Sequence, residues 1–323
     1  MKRGPIVVGA GLGVLALAVY AGISVINGKG IGPLLPPQEQ CQASAGGNTV
    51  VVDLEQAESA AIIVGVAVRR GLPAKAATIA LATAYQESNL RNLNHGDRDS
   101  LGLFQQRPSQ GWGTIAQVRD PHYSSWKFYD ALVKVKNYQT LAVTVAADKV
   151  QRSAFPNAYA DHEADARVLA SALTGNSKAA LFCTVNTSSI QAEAMGTNGL
   201  TPRAETVRQD LLKTFGKLPM GGYEPGGTTT GHMEGSAHYD GRAIDIFVKP
   251  ISTANTLKGW ALAQYLVARA DYLKIQTVIF SDRIWTAGSK SDNGWRTYTA
   301  PDRPGNKDTL RHLDHVHVDV LEN

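Results

Sequence analysis

The nine residues His312-Leu-Asp-His315-Val-His317-Val-Asp319-Val320 separate into two sets when read at a period of two. As a strand, they place His315, His317 and Asp319 on one face and Val316, Val318 and Val320 on the other. The valine face is core. The opposite face is unusually ionisable for a strand, and its converging polar groups point to a site. Two further strand-like runs, Ala243–Val248 and Thr277–Phe280, alternate with helical signal over 203–215 and 255–270. That mixture predicts an α+β domain over residues 203–323.

A second polar cluster lies upstream, Ser236-Ala-His238-Tyr-Asp-Gly241-Arg242-Ala243-Ile-Asp245. Five of the eight histidines fall between 232 and 317, a skew that asks for a cause. A catalytic zinc takes three protein ligands from histidine and carboxylate and leaves a fourth position for water, whose pKa falls. His238, Asp245 and His317 supply such a set, which leaves His315 to act on the water or on the developing oxyanion. Gly241 relieves crowding where the chain turns from one ligand toward the next. His312 reads better as an ordinary hydrogen-bonded histidine. His232 and Arg242 are candidate substrate contacts, and Arg242 reads equally well as an exposed charge beside the metal loop.

The pattern Ser-x-His-x-x-Gly-x-Ala-x-Asp, followed by a late His-x-His strand, resembles the D-Ala-D-Ala carboxypeptidase/lysostaphin-type zinc peptidases. Within that group it is similar to a C-terminal domain found in actinobacterial secreted proteins behind transglycosylase-like domains. The resemblance covers about residues 203–323 and implies a Zn2+ cofactor and cell-wall stem peptides as substrate. Carboxypeptidases of this group usually place a Glu ahead of the final ligand as base. Here Asp314 and His315 precede His317, and His315 matches the His-x-His variant of the wider group.

From Asp53 to about Gly175 the pattern is helical, with Ala-rich stretches at 55–70, 74–90, 124–134, 141–150 and 160–173. No strongly alternating run interrupts them, so an all-α domain is expected over 49–183. The stretch Ala74–Leu90 ends in Gln86-Glu87-Ser88, and Glu87 has only Ala84, Thr83 and Ala80 behind it at helical spacing. A carboxylate over so little bulk can sit partly desolvated in a cleft, which favours its acid form. A solvated Glu near a helix end is the commoner reading for a lone Glu. A polar loop follows and leads into Gly102-Leu103-Phe104-Gln105.

Glu87-Ser88 followed by that Gly-Leu-Phe-Gln turn resembles the lytic transglycosylase/goose-type lysozyme group over roughly residues 50–175. The resemblance implies that Glu87 is the catalytic acid/base, that Ser88 supports it, and that Ser88 and Gln105 belong to the substrate-binding set of a glycan groove. Transglycosylases of this kind use one carboxylate, which protonates the leaving oxygen and then deprotonates the muramoyl 6-hydroxyl to close a 1,6-anhydro ring. Asp97 and Asp99 could be a second carboxylate for hydrolysis, or loop acids that cap backbone amides. Trp112, Trp126 and Tyr123 could stack on sugar rings or belong to the core. The segment Gln151-Arg-Ser-Ala-Phe-Pro-Asn-Ala-Tyr159 stands where the family carries a second groove-wall motif, but departs from its usual Ala-Tyr-Asn-Ala-Gly form.

At the N-terminus, Lys2 and Arg3 precede an uncharged apolar run from Ile6 to Ile26. Its length suits a membrane span, with everything after residue 30 exported; a signal peptide cleaved near Ala21 is the alternative. Residues 1–30 are thus an expected transmembrane anchor or signal helix, 31–48 a linker, and 184–202 a second linker. Export makes Cys41 and Cys183 an expected disulfide across the ends of the first domain. The polar residues before Cys41 do not fit a lipidation motif. A net charge of +4 suits an anionic polymer without deciding for one, and no basic run with interleaved aromatics speaks for nucleic acid.

The sequence therefore predicts a lysozyme-like all-α domain followed by a zinc-peptidase-like α+β domain. Its predicted partners are peptidoglycan glycan strands, stem peptides and, through the N-terminal helix, the membrane; its expected place is the extracellular face of the cell membrane or, if secreted, the cell wall. The leading expectation is a bifunctional peptidoglycan hydrolase. The alternatives are a glycan-cleaving enzyme with a non-catalytic wall-binding C-terminal domain, and a non-enzymatic cell-surface assembly protein.

Overall fold

The computed structural model describes residues 38–153 and 157–322. The expected N-terminal membrane segment lies outside them, and no helix among the described residues is long and apolar enough to cross a membrane.

Helix formation follows local signals. Asp53 caps α1 (Leu54–Arg69) through a reciprocal capping box with Gln56, and α2 (Ala74–Ser88) ends on Asn89 in the left-handed region. α3 (Ile115–Val118) and α4 (Pro121–Leu132) start from Thr114 and Asp120, whose side chains accept backbone N–H bonds. α5 (Val143–Gln151) and α6 (Glu163–Leu173) complete the helical half. The small residues of α2 let it lie at the centre, touched by α1, α4, α5 and α6. Glu87 sits near its end, at the edge of that packing.

The helical half also carries a sheet. β1 (Gln40–Ala45) and β2 (Asn48–Val52) form a hairpin, and β3 (Leu181–Thr184) pairs with the other edge of β1. This corrects two expectations: residues 40–48 are strand and turn rather than linker, and the helices come with an antiparallel sheet. The turn is Gly46-Gly47, both at positive φ, as a two-residue hairpin connection requires. Cys41 lies directly opposite Cys183 across β1 and β3, and the two form the expected disulfide.

The C-terminal half is a six-stranded antiparallel sheet in the order β4-β5-β9-β6-β7-β8. Its strands are β4 (Met220–Gly221), β5 (Ala243–Phe247), β6 (Ile275–Phe280), β7 (Arg283–Thr286), β8 (Arg296–Thr297) and β9 (His315–Val320). Helices α7 (Pro202–Phe215) and α8 (Thr253–Ala268) accompany it, with short turns α9 (Ala270–Leu273) and α10 (Lys307–Leu310). As expected, Val316, Val318 and Val320 are fully buried, and α8 packs on β6 and β9.

Residues from Gln38 onward make one compact unit, and one apolar core runs from Cys41 to Val320. α8 is the shared wall, meeting the sheet on one side and α1, α6 and β3 on the other. Its fully buried Gln264 accepts N–H bonds from Ala180 and Leu181, both at 2.7 Å, and donates to the carbonyls of Ala172 and Ser177. The indole N–H groups of Trp285 and Trp295 donate to Cys183 and Leu181. The 184–202 segment is also held in place: Asn186 N–H donates to Glu39, and Glu193 accepts from the Arg203 backbone.

Candidate functional site

β5 and β9 are neighbours, registered so that Asp245 faces His317. The loop before β5 brings His238 to the same point. His238 Nε2, His317 Nδ1 and Asp245 Oδ1 then form a nearly equilateral triangle, with sides of 3.1, 3.2 and 3.3 Å. Three corners of a tetrahedron around an ion bound at about 2.0–2.1 Å are about 3.3–3.4 Å apart, so the triangle matches a small metal ion closely. His238 and Asp245 are buried, and His317 nearly so.

Each imidazole is also fixed from behind. His238 Nδ1 donates to the Gly222 carbonyl at 2.7 Å, leaving Nε2 to face the centre. His317 Nε2 lies 3.2 Å from Asp319 Oδ2, leaving Nδ1 to face it. Gly222 has φ +80°, and a Cβ there would fall 2.4 Å from the His238 ring, so only glycine admits this contact. A wider group of His232, His238 and Asp245 brings its ligand atoms within 4.8 Å of one another and could also hold a metal. His317 Nδ1 stands closer still, 3.1 Å from His238 Nε2 and 3.2 Å from Asp245 Oδ1. The His232 ring stacks on His238 at 3.8 Å instead.

The electrostatics suit a cation. Burial pushes Asp245 toward its neutral form, but hydrogen bonds from His238 and His317 outweigh it and hold the carboxyl well below the usual range. Burial likewise opposes charge on His317, yet the flanking Asp245 and Asp319 lift it to about 9. Burial and the neighbouring His315 and His317 lower His312 to about 3, so it is neutral. His315 joins Asp314 through Nδ1 at 2.7 Å, and its Nε2 stands 3.7 Å from Asp245 Oδ1. Asp314 is itself held by Lys249 and Thr309. A cleft of about 370 Å³ opens over this group, lined also by His232, Phe247 and Tyr298. Arg242, expected at the substrate, is directed elsewhere: it donates to the Val320 carbonyl, pairs with Asp240, and does not line the cleft.

A larger cleft, about 1020 Å³, lies in the helical half and contains Glu87, Gln105 and Trp112. Glu87 Oε1 accepts a 2.8 Å bond from the hydroxyl of Tyr159, whose ring is buried. Burial and the adjacent Glu87 charge both raise the Tyr159 pKa, so the phenol stays a donor. Ser88 lies behind this surface rather than on it. Buried, it donates to the carbonyls of Ala84 and Leu103 and so ties the end of α2 to the Gly102–Gln105 turn. Gln105 donates to the His95 and Gly102 carbonyls, and Gln151 to that of Phe104.

Neither loop aspartate lines the cleft. Asp99 accepts from Ser109 N–H and Arg107, bonds that hold it far below the usual range, in keeping with the loop-capping reading. The other carboxylate in the cleft, Asp130, is paired with Arg70 at 2.9 Å. Trp126 lies outside the cleft, under Arg70. Tyr159 closes the segment singled out in sequence, but nothing in the sequence tied its hydroxyl to Glu87.

Residues 196–312 match the family model described as VldE, C-terminal domain. The match takes in His238 and Asp245 and stops short of His315 and His317. A comparison with curated proteins finds no match to this chain.

Proposed function

We propose that this protein is an exported peptidoglycan hydrolase with two heads, one on the glycan strand and one on the stem peptide. The observation that carries the reading is the ligand triangle of His238, Asp245 and His317, because its spacing and its fixed tautomers have no purpose in an ordinary core. Histidine and carboxylate donors at this spacing suit zinc. Zinc held there would supply a water of lowered pKa and polarise a peptide carbonyl. His315 faces the same cleft, with Nδ1 oriented by Asp314, and its Nε2 is the atom that takes up and returns the proton. Burial opposes charge on Asp314, but hydrogen bonds from His315, Lys249 and Thr309 outweigh it and hold the carboxyl below the usual range, which keeps the ring oriented.

In the helical half, Glu87 donates its proton to the glycosidic oxygen as the C–O bond breaks. Its carboxylate then removes the proton of the muramoyl 6-hydroxyl, and that oxygen closes on the anomeric carbon. With Asp97 and Asp99 away from the cleft and Asp130 paired, the single-carboxylate route to a 1,6-anhydro product is favoured over hydrolysis. Tyr159 steadies the ionised form of Glu87 between the two steps. The disulfide agrees with an oxidising compartment, and attachment through the N-terminal segment is part of the proposal.

The test is digestion of purified sacculi by the full-length, zinc-replete protein, with products separated by mass. Anhydro-ended saccharides lost in Glu87→Gln, and new peptide termini lost in His238→Ala together with about one bound zinc, are expected. Zinc binding without peptide cleavage would reduce the sheet half to a wall-binding module. Intact sacculi under all conditions would overturn both heads.

A further inference from the structure

Of residues 229–235, which run toward His238, only His232 turns in from solvent; the other six are exposed. Gly231 and Gly235, both at positive φ, bracket it, and a Cβ on either would meet nothing within 4 Å. The backbone of His232 is nevertheless pinned. Its N–H donates to the Tyr239 hydroxyl at 3.1 Å, and that hydroxyl donates back to its carbonyl at 2.8 Å. The ring, which lines the cleft over the ligand triangle, is held by aromatic contacts with His238 and Tyr239 alone. Neither of its nitrogens has a hydrogen-bond partner among the described residues. An imidazole drawn into a polar cleft on those terms has a donor atom in reserve.

Its ligand atom lies within 4.8 Å of those of His238 and Asp245, against about 3.3–3.4 Å for neighbours around one tetrahedral ion. Its plane is tilted only 19° from that of His238, with the ring centroids 3.8 Å apart. An imidazole binds through a lone pair in its ring plane, so the planes of two ligands on one ion must meet at that ion. Stacked planes this nearly parallel meet far beyond bonding reach. His232 is therefore no ligand in this pose, yet stands at most about 1.5 Å short of ligand spacing. Turning about its side-chain bonds covers that gap while Tyr239 holds the backbone. We propose that His232 is an exchangeable fourth ligand of an ion held by His238, Asp245 and His317. At rest the ring leaves the stack and fills the position that the triangle leaves open. When water or a substrate group takes that position, the ring returns to the stack. The inference rests on the metal-binding reading and adds a built-in restraint on the peptide-cleaving head. A competing role is packing alone, in which the stacked ring walls in His238 and is indifferent to the open position.

The experiment uses the full-length, zinc-loaded protein beside His232→Phe, which keeps a stacking ring without a donor, and His232→Ala, which keeps neither. X-ray absorption at the zinc edge counts imidazole ligands, and acetohydroxamate serves as a small probe of the open position. Three imidazoles are expected in the parent, falling to two when acetohydroxamate saturates it, and two in both variants. A closed state favoured about tenfold at rest weakens the probe and strengthens the metal by the same factor. Both variants are therefore expected to bind acetohydroxamate about tenfold more tightly, and zinc about tenfold more weakly in a chelator competition. Two imidazoles in the parent without the probe overturn the inference, a result that needs no variant to fold. Equal probe affinity in the parent and His232→Phe overturns it too. A zinc defect confined to His232→Ala assigns the ring to packing and does the same. A parent that takes up no zinc under metal-replete conditions rejects the metal reading itself, and the inference with it.

Discussion

Glu87 is held by the Tyr159 hydroxyl and has an open cleft before it, and its chemistry depends on that balance. Glu87→Gln keeps the shape and removes the proton, so glycan cleavage should fall by about 10²–10⁴-fold with the fold intact, as read by released saccharide ends. Tyr159→Phe removes one hydrogen bond to a charged group. A loss of about tenfold in the same assay is expected, with less effect on substrate affinity. In the other cleft, Asp319→Asn should weaken metal binding by about 10–100-fold in a chelator competition, because Asp319 fixes the ring that presents the ligand nitrogen. A variant that binds metal as the parent does would remove Asp319 from the site. His238, Asp245 and His317 were legible because a period of two and a short Gly-containing loop set their directions locally. The partners behind them were not. The Gly222 carbonyl lies sixteen residues from His238, and Tyr159 seventy-two from Glu87, so only the folded chain brings them together.

Among elements, the helices and the valine strand were readable because each buries a periodic apolar face. The hairpin was hidden: β1 reads Gln-Cys-Gln-Ala-Ser-Ala, without β-branched residues, and gains its strand form by pairing with β2 and β3. A second feature invisible in sequence is the junction of α1 with α7 and α8. Burial lifts Glu58 on α1 to about 7, against the pull of Arg269, which stands 3.6 Å away and also pairs with Asp210. The folded pKa lies above the ordinary value of 4.5, so the unfolded chain ionises first as pH rises. Stability present below about pH 4.5 is therefore lost progressively up to about pH 7, by about 2–3 kcal/mol from this group. Glu58→Gln should flatten that part of the profile, measured as urea midpoints at about pH 5 and pH 8. Equal slopes in parent and variant would show that Glu58 keeps an ordinary pKa when folded.

At the scale of the whole molecule, the disulfide closes a separation of 142 residues that contains the entire helical half. Replacing both cysteines by serine should cost about 3–5 kcal/mol in denaturant unfolding, with helical and tryptophan signals still melting together. Gln264→Ala should be comparably severe, about 3 kcal/mol, since it strands the Ala180 and Leu181 N–H groups and the Ala172 and Ser177 carbonyls in the core.

That single amide also bears on how such a chain could have arisen or be re-used. Recombination that moved the sheet half onto another carrier would bring α8 with its glutamine turned toward partners left behind, and two indoles with nothing to receive their protons. A graft would need a new hydrogen-bonding lid for that wall, so the halves are expected to be inherited as a matched pair rather than exchanged as interchangeable parts.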